Sequence, residues 1–268
     1  RSPSRGLGDV YKRQLSEVIE VKEPGSEKTI IHHPMKYDFE DYRADINTSN
    51  YMVSKLLAKN TGQCHSMPLL FLILAEELET EAFWCFSPSH SFIKFQDKQN
   101  RWYNIELTQG AVVTDDFYMN SGFIKSKAIQ TGIYLNPRTM KQTIAHMLND
   151  LSAYYISRYG YDHFIEENSN LVLRYSPSDL TAYQHYANIC TVQAQYVIDA
   201  CGRPPKEQLP EYPQAHRLFK KMLQSYEKID SLGYEEMPAE IYHNWLKQVD
   251  KAKTLPENQP SPIIQIKK

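Results

Sequence analysis

This 268-residue chain has no apolar run near the roughly 20 residues that a helix needs to cross a bilayer, so a soluble protein is expected. It also lacks an excess of charge of either sign. Thirty Lys and Arg stand against 32 Asp and Glu, which leaves no bulk attraction to nucleic acid or to an anionic membrane. Neither is expected as a partner. Cysteine is sparse: Cys64, Cys85, Cys190 and Cys201 are too few at this length for a disulfide scaffold. Cys190 and Cys201 could bridge in an oxidising compartment, but their spacing does not demand it, and the compartment is left unassigned. Paired patterns such as CxxC or HExxH are missing, so His32, His33 and His65 are not read with Cys64 as a metal site. Outside the first 14 residues there is no P-loop and no GxGxxG. No metal and no cofactor is expected.

The opening residues 1–14, "RSPSRGLGDVYKRQ", carry no initiator Met and no apolar signal segment. They resemble translated adapter read-through and are set aside as non-native. The native start is then expected to be missing, which leaves export undecided.

What is present begins with 41% hydrophobic residues, enough for a buried core. Residues 15–36 read as a mostly irregular lead-in with a short β-like "TIIHHP". Asp45, Asn47 and Thr48 are candidate N-caps for a helix through Tyr51, Met52, Lys55 and Leu56. That helix should stop near Asn60-Thr61-Gly62, with Gly supplying a left-handed end. A second helix starts at or just after Cys64, with Met67, Leu70, Phe71, Leu74 and Leu78 on one face. Pro68 is tolerated in its first turn. The period then shortens. "EAFWCFSP", "HSFIKFQD" and "RWYNIEL" read as adjacent antiparallel strands, with Cys85 in the core. Residues 111–127 read as pocket-lining loops. Beyond Pro137 the pattern is helical: a stripe of Ile144, Met147, Leu148, Leu151 and Tyr155, then helices over 180–201, 215–232 and 239–252. "SPSDLTAYQHYAN" with "AQYVIDA" resembles a tetratricopeptide-type helix pair. Residues after 256 read as a disordered tail.

The chemistry-bearing stretch is "NTGQCHSMPLL". A cysteine at a helix N-terminus meets unpaired N–H groups and the positive end of the helix dipole, which favour a thiolate. The same amides can receive an oxyanion. A nucleophilic thiolate needs a base that returns the proton, and His90, opening the second strand, is the candidate. The base needs an acceptor to orient it. On "WYNIELTQG" alternation puts Asn104 and Glu106 on one strand face, and either one could serve.

"GQC" opening a helix, "HSFI" on a strand and "WYNIELTQG" on the next resemble the transglutaminase-like core, a branch of the papain-like cysteine enzymes. The helices behind it resemble the SirB1-type branch. The resemblance implies an α+β core of helices packed on a small antiparallel sheet over 37–135, then an all-α, repeat-like region over 136–255. It also implies a triad of Cys64 as nucleophile, His90 as base and Glu106 as acid, with Gln63 and Asn104 in support. Glu106 is one methylene longer than the family's Asp, and His65 stands where animal transglutaminases have Trp. The implied activity is a cysteine hydrolase or acyltransferase acting on a peptide or amide carbonyl of a peptide or protein substrate. The alternative is a non-catalytic scaffold whose helical region binds a protein partner.

Overall fold

The computed structural model describes residues 15, 17–22, 25, 28–120 and 123–253; the segment 1–14 and the tail 256–268 lie outside them. The chain is mixed α/β, with many helices and small sheets that are mostly antiparallel. It divides into two compact units. One comprises the described residues up to 120 together with those from 237 onward, and the other comprises 123–236. This differs from a division at 135 with everything later assigned to a helical region. The reason is packing: Tyr242 and Leu246, far along the chain, are buried in the same core cluster as Leu56, Phe71, Trp84 and Ile105.

In the first unit, β1 (Ile19–Lys22) and β2 (Thr29–His32) form an antiparallel hairpin. β3 (Lys36–Tyr37) runs parallel to β4 (Thr61–Gly62), with Tyr37 opposite Gly62. Of the three candidate caps, Asn47 is the one used, its side chain accepting from the Ser49 amide at the head of a 3₁₀ turn. Helix α1 (Val53–Lys59) follows and ends on Asn60 at φ 51°. Asn60, not Gly62, therefore supplies the left-handed stop; Asn tolerates that conformation because its short polar side chain bonds locally. Gly62 is needed for another reason. A Cβ there would stand 2.7 Å from Ser66 Oγ and 2.9 Å from Leu56 Cδ1, so any side chain would force Ser66 and Leu56 to shift.

Helix α2 (Ser66–Glu77) is buried on every side over its first two turns. It is a central helix rather than a one-faced one, with Ile73 turned outward. It packs on β5 (Phe83–Ser87) and β6 (His90–Gln96). With β7 (Trp102–Glu106) and β8 (Ala111–Val113) these make an antiparallel meander in chain order. The fourth strand and helix α3 (Asp115–Met119) occupy the segment read as loops. Trp84, Ile93 and Ile105 join the core with α2. Alternation turns His90, Phe92 and Lys94 to the opposite face, where the Tyr118 ring of α3 stacks on Phe92 at 3.8 Å.

The second unit runs α4 (Ser126–Thr131), α5 (Met140–Tyr159), α6 (His163–Tyr175), α7 (Leu180–Ala200) and α8 (Pro213–Ser231). From α5 onward each helix packs on the next. Thr139 and Gln142 form a reciprocal capping box at α5, and Asp162 and Asp179 cap α6 and α7. The expected tetratricopeptide-type pair is instead the single helix α7, since no Gly or Pro interrupts it. On α5, Ile144, Met147 and Leu151 are exposed. The inward face carries Thr143, Ala145, His146, Asn149 and Ser152, because the buried carboxylate of Asp179 recruits His146 and Asn149. Helix α9 (Ala239–Lys253) returns to the first unit. Among the described residues no helix is long and apolar enough to cross a membrane.

Candidate active site

Cys64 lies between β4 and α2, and short-range bonds fix the backbone on both sides of it. Gln63 Oε1 accepts from the His65 amide at 2.6 Å, and the Gln63 amide donates to Ser66 Oγ at 3.2 Å. Buried Gln63 thus ties down the start of the helix. The Cys64 carbonyl accepts a hydrogen bond from Ser91 Oγ, which in turn accepts from Trp84 Nε1 at 2.9 Å. The strand that carries His90 therefore also clamps the Cys64 backbone. His65 is packed edge-on against Tyr51 at 5.2 Å and Trp84 at 4.6 Å.

The three expected residues come together. His90 Nε2 is 2.7 Å from Glu106 Oε2, and both side chains are almost fully buried, at 2% and 1% exposure. Glu106 is saturated: Oε2 also accepts from the Tyr118 hydroxyl at 2.9 Å, and Oε1 accepts from the Thr108 amide at 2.9 Å. The other imidazole nitrogen, Nδ1, is 3.2 Å from the Tyr242 hydroxyl, which donates to Cys64 Sγ at 3.8 Å. Trp245 lies edge-on to the imidazole at 4.8 Å. With the ring protonated, Nε2 donates to the carboxylate and Nδ1 to the phenol, and the phenol donates to sulfur. Each acceptor is then matched to a donor.

Asn104 does not take part. Its Nδ2 donates to Asp115 Oδ1 at 2.9 Å, beside Lys94 on the same carboxylate. It faces the same side of the sheet as Glu106 but sits two residues further from the end where His90 lies, so it cannot orient the imidazole.

The charges reinforce the geometry. Burial opposes ionisation of Cys64 most strongly, but the charge and hydrogen bond of His90, the Tyr242 hydroxyl and the Ser91 amide outweigh it and lower the thiol below 9.0. Burial also disfavours the imidazolium, yet Glu106 and then Cys64 raise His90 to about 10. Glu106 is lowered against its own burial by His90 and by Thr108. The directions of all three shifts favour a thiolate–imidazolium pair backed by a carboxylate over the neutral forms. Cys64 is half-buried, so solvent reaches the residue, whereas Cys85 is buried in the core. Cys190 and Cys201 are free thiols.

Sequence reasoning missed four aromatic residues at this site. Tyr118 sat in a segment read as loop, although "TDDFYM" carries a helix-start signal in its paired acids. Tyr242 and Trp245 belong to α9, 178 residues beyond Cys64 in the case of Tyr242, and nothing local announces them. Tyr37 lies at the front of the fold, next to Gly62 across the two-stranded ladder. A cavity of about 260 Å³ opens beside His90, lined by Pro88, Phe117, Tyr118, Ile241 and Trp245 among others. Among the described residues no cluster of His, Cys, Asp or Glu is arranged to hold a metal ion. Comparison of the chain with family models, curated proteins and solved structures returns no match.

Proposed function

We propose that the first unit is a cysteine hydrolase or acyltransferase of transglutaminase-like type, with Cys64, His90 and Glu106 as its triad. The observation that supports this reading is the unbroken relay from buried carboxylate to imidazole to phenol to the half-buried sulfur. The Cys64 thiolate attacks a peptide or amide carbonyl, and the His90 imidazolium gives its proton to the departing amine. Neutral His90 then takes a proton from the water or amine that resolves the thioester. Glu106 keeps Nε2 protonated and balances the imidazolium charge throughout. Hydrolysis is favoured over crosslinking because water is always present and no residue here specifies an amine acceptor.

Iodoacetamide labelling of the folded chain tests the reading. Cys64 should label at pH 7 at least tenfold faster than Cys85. Its rate should fall as acid protonates the thiolate below the ordinary thiol range, and the advantage should vanish in His90→Ala. Cleavage of a peptide amide should fall again above pH of about 10, as His90 loses the proton that the departing amine needs. Equal, slow labelling of both thiols would leave a scaffold rather than an enzyme.

A further inference from the structure

Tyr37 is 5% exposed, and its hydroxyl is buried without completing a hydrogen bond among the described residues. Buried polar groups are nearly always paired, so an orphan in a native core calls for a reason. The surroundings offer one. The Lys36 and Asp38 amides donate to the Asn60 and Gly62 carbonyls at 2.8 and 2.7 Å, which fixes Tyr37 opposite Gly62, two residues before the nucleophile. Its ring is braced by Phe39, with centroids 4.9 Å apart. The Cys64 thiol and the Tyr242 hydroxyl both lie close enough to act on the phenol as hydrogen-bonding groups, though neither meets it at a geometry that completes a bond. Among the described residues no backbone carbonyl accepts from the Cys64 amide in the turn that opens α2.

Resting on the cysteine-enzyme reading, we propose that the Tyr37 hydroxyl is an oxyanion donor, acting with the Cys64 amide on the tetrahedral intermediate. When Sγ bonds to the carbonyl carbon, the C=O π pair moves onto oxygen. That oxygen needs donors held in place beforehand, which costs no rearrangement at the moment of attack. A hydroxyl that completes no hydrogen bond, on a braced ring beside the nucleophile, meets that need. Burial, and then the Cys64 charge, hold the phenol well above its ordinary value, so it stays a donor across the working pH range. When the intermediate collapses, the C=O re-forms, the leaving group departs with its bonding pair, and Tyr37 is free again with its proton unchanged.

Tyr37→Phe in the full chain tests this with two reagents. Acylation of Cys64 by p-nitrophenyl acetate passes through an oxyanion and is read from the burst of p-nitrophenolate. Alkylation by iodoacetamide is a displacement at sp³ carbon and forms none. The variant should acylate about 10²-fold more slowly while alkylating within about threefold of the parent rate. Its melting temperature should be unchanged or higher, because an unsatisfied buried hydroxyl has been removed. Unchanged acylation would overturn the proposal. So would an equal loss in both reactions, which would mean that Tyr37 acts through the thiolate, or a clearly lower melting temperature, which would reveal a structural partner. A parent thiol slow toward both reagents would instead remove the enzyme reading itself, and this proposal with it.

Discussion

Glu106→Gln lowers turnover of an activated ester such as p-nitrophenyl acetate by about 10²–10⁴-fold, while the chain stays folded. The substitution keeps the shape of the side chain and removes its charge. His90 then loses the largest influence that raises it, so the imidazolium deprotonates at lower pH. Cys64 in turn loses the cation that holds it below 9.0. The balance shifts from the ion pair toward a neutral thiol and a neutral ring. The tautomer changes as well: a Gln amide can donate to Nε2, which moves the ring proton to Nδ1 and leaves no base facing sulfur. Two measurements separate these effects. The acid limb of iodoacetamide labelling should move upward toward the ordinary thiol range, and ester turnover should fall by more than the loss of thiolate explains. Asn104→Ala is the control. Its amide is bonded to Asp115, so turnover should change by only a few-fold. If Asn104→Ala costs as much as Glu106→Gln, the carboxylate is not the orienting group.

The sequence was most informative where short-range chemistry decides the structure. Cys64 at a helix start and His90 and Glu106 on successive strands were readable because each depends on neighbours within a few residues. The helix brings its own dipole, and period-two alternation assigns strand faces. The choice between Glu106 and Asn104 was not readable, since both lie on the same face. Strand register decides it, placing Asn104 opposite Lys94 and hence beside Asp115. Tyr242 was out of reach for a different reason. Its helix follows a whole second unit in the chain, and its amphipathic pattern says only that one face is buried, not against what. The reading of Ile144, Met147 and Leu151 as a stripe on one side of a helix located the helix but not its inward face. Apolar spacing is a poor guide where a buried ionic cluster sets the orientation.

That cluster carries the largest stability effect. Asp179→Ala should destabilise the second unit by about 3–5 kcal/mol, the cost of removing one member of a buried ion pair. Asp179 is fully buried, and its Oδ2 takes Arg138 Nη1 at 2.8 Å and His146 Nδ1 at 2.7 Å. Its Oδ1 takes Asn149 Nδ2 at 3.0 Å and the Ala182 amide at 3.1 Å, capping α7. Burial disfavours the carboxylate, but His146, Arg138 and the Ala182 amide together hold it far below the ordinary value of 3.8. A group lowered in this way contributes fully above its unfolded value and loses that contribution only as the pH falls through the lowered one. The unit should therefore resist acid well past the point where ordinary carboxylates protonate, and the alanine variant should lose this resistance. Removing the carboxylate alone takes the Asp179 charge away from the Arg138 guanidinium, 8% exposed, and leaves α7 uncapped. Arg138→Met combined with Asp179→Asn removes both charges and keeps a cap, so it should cost clearly less than Asp179→Ala. Urea titration followed by helical circular dichroism measures each variant. An Asp179→Ala chain that unfolds within about 1 kcal/mol of the parent would show that the cluster is not what holds α5 against α7.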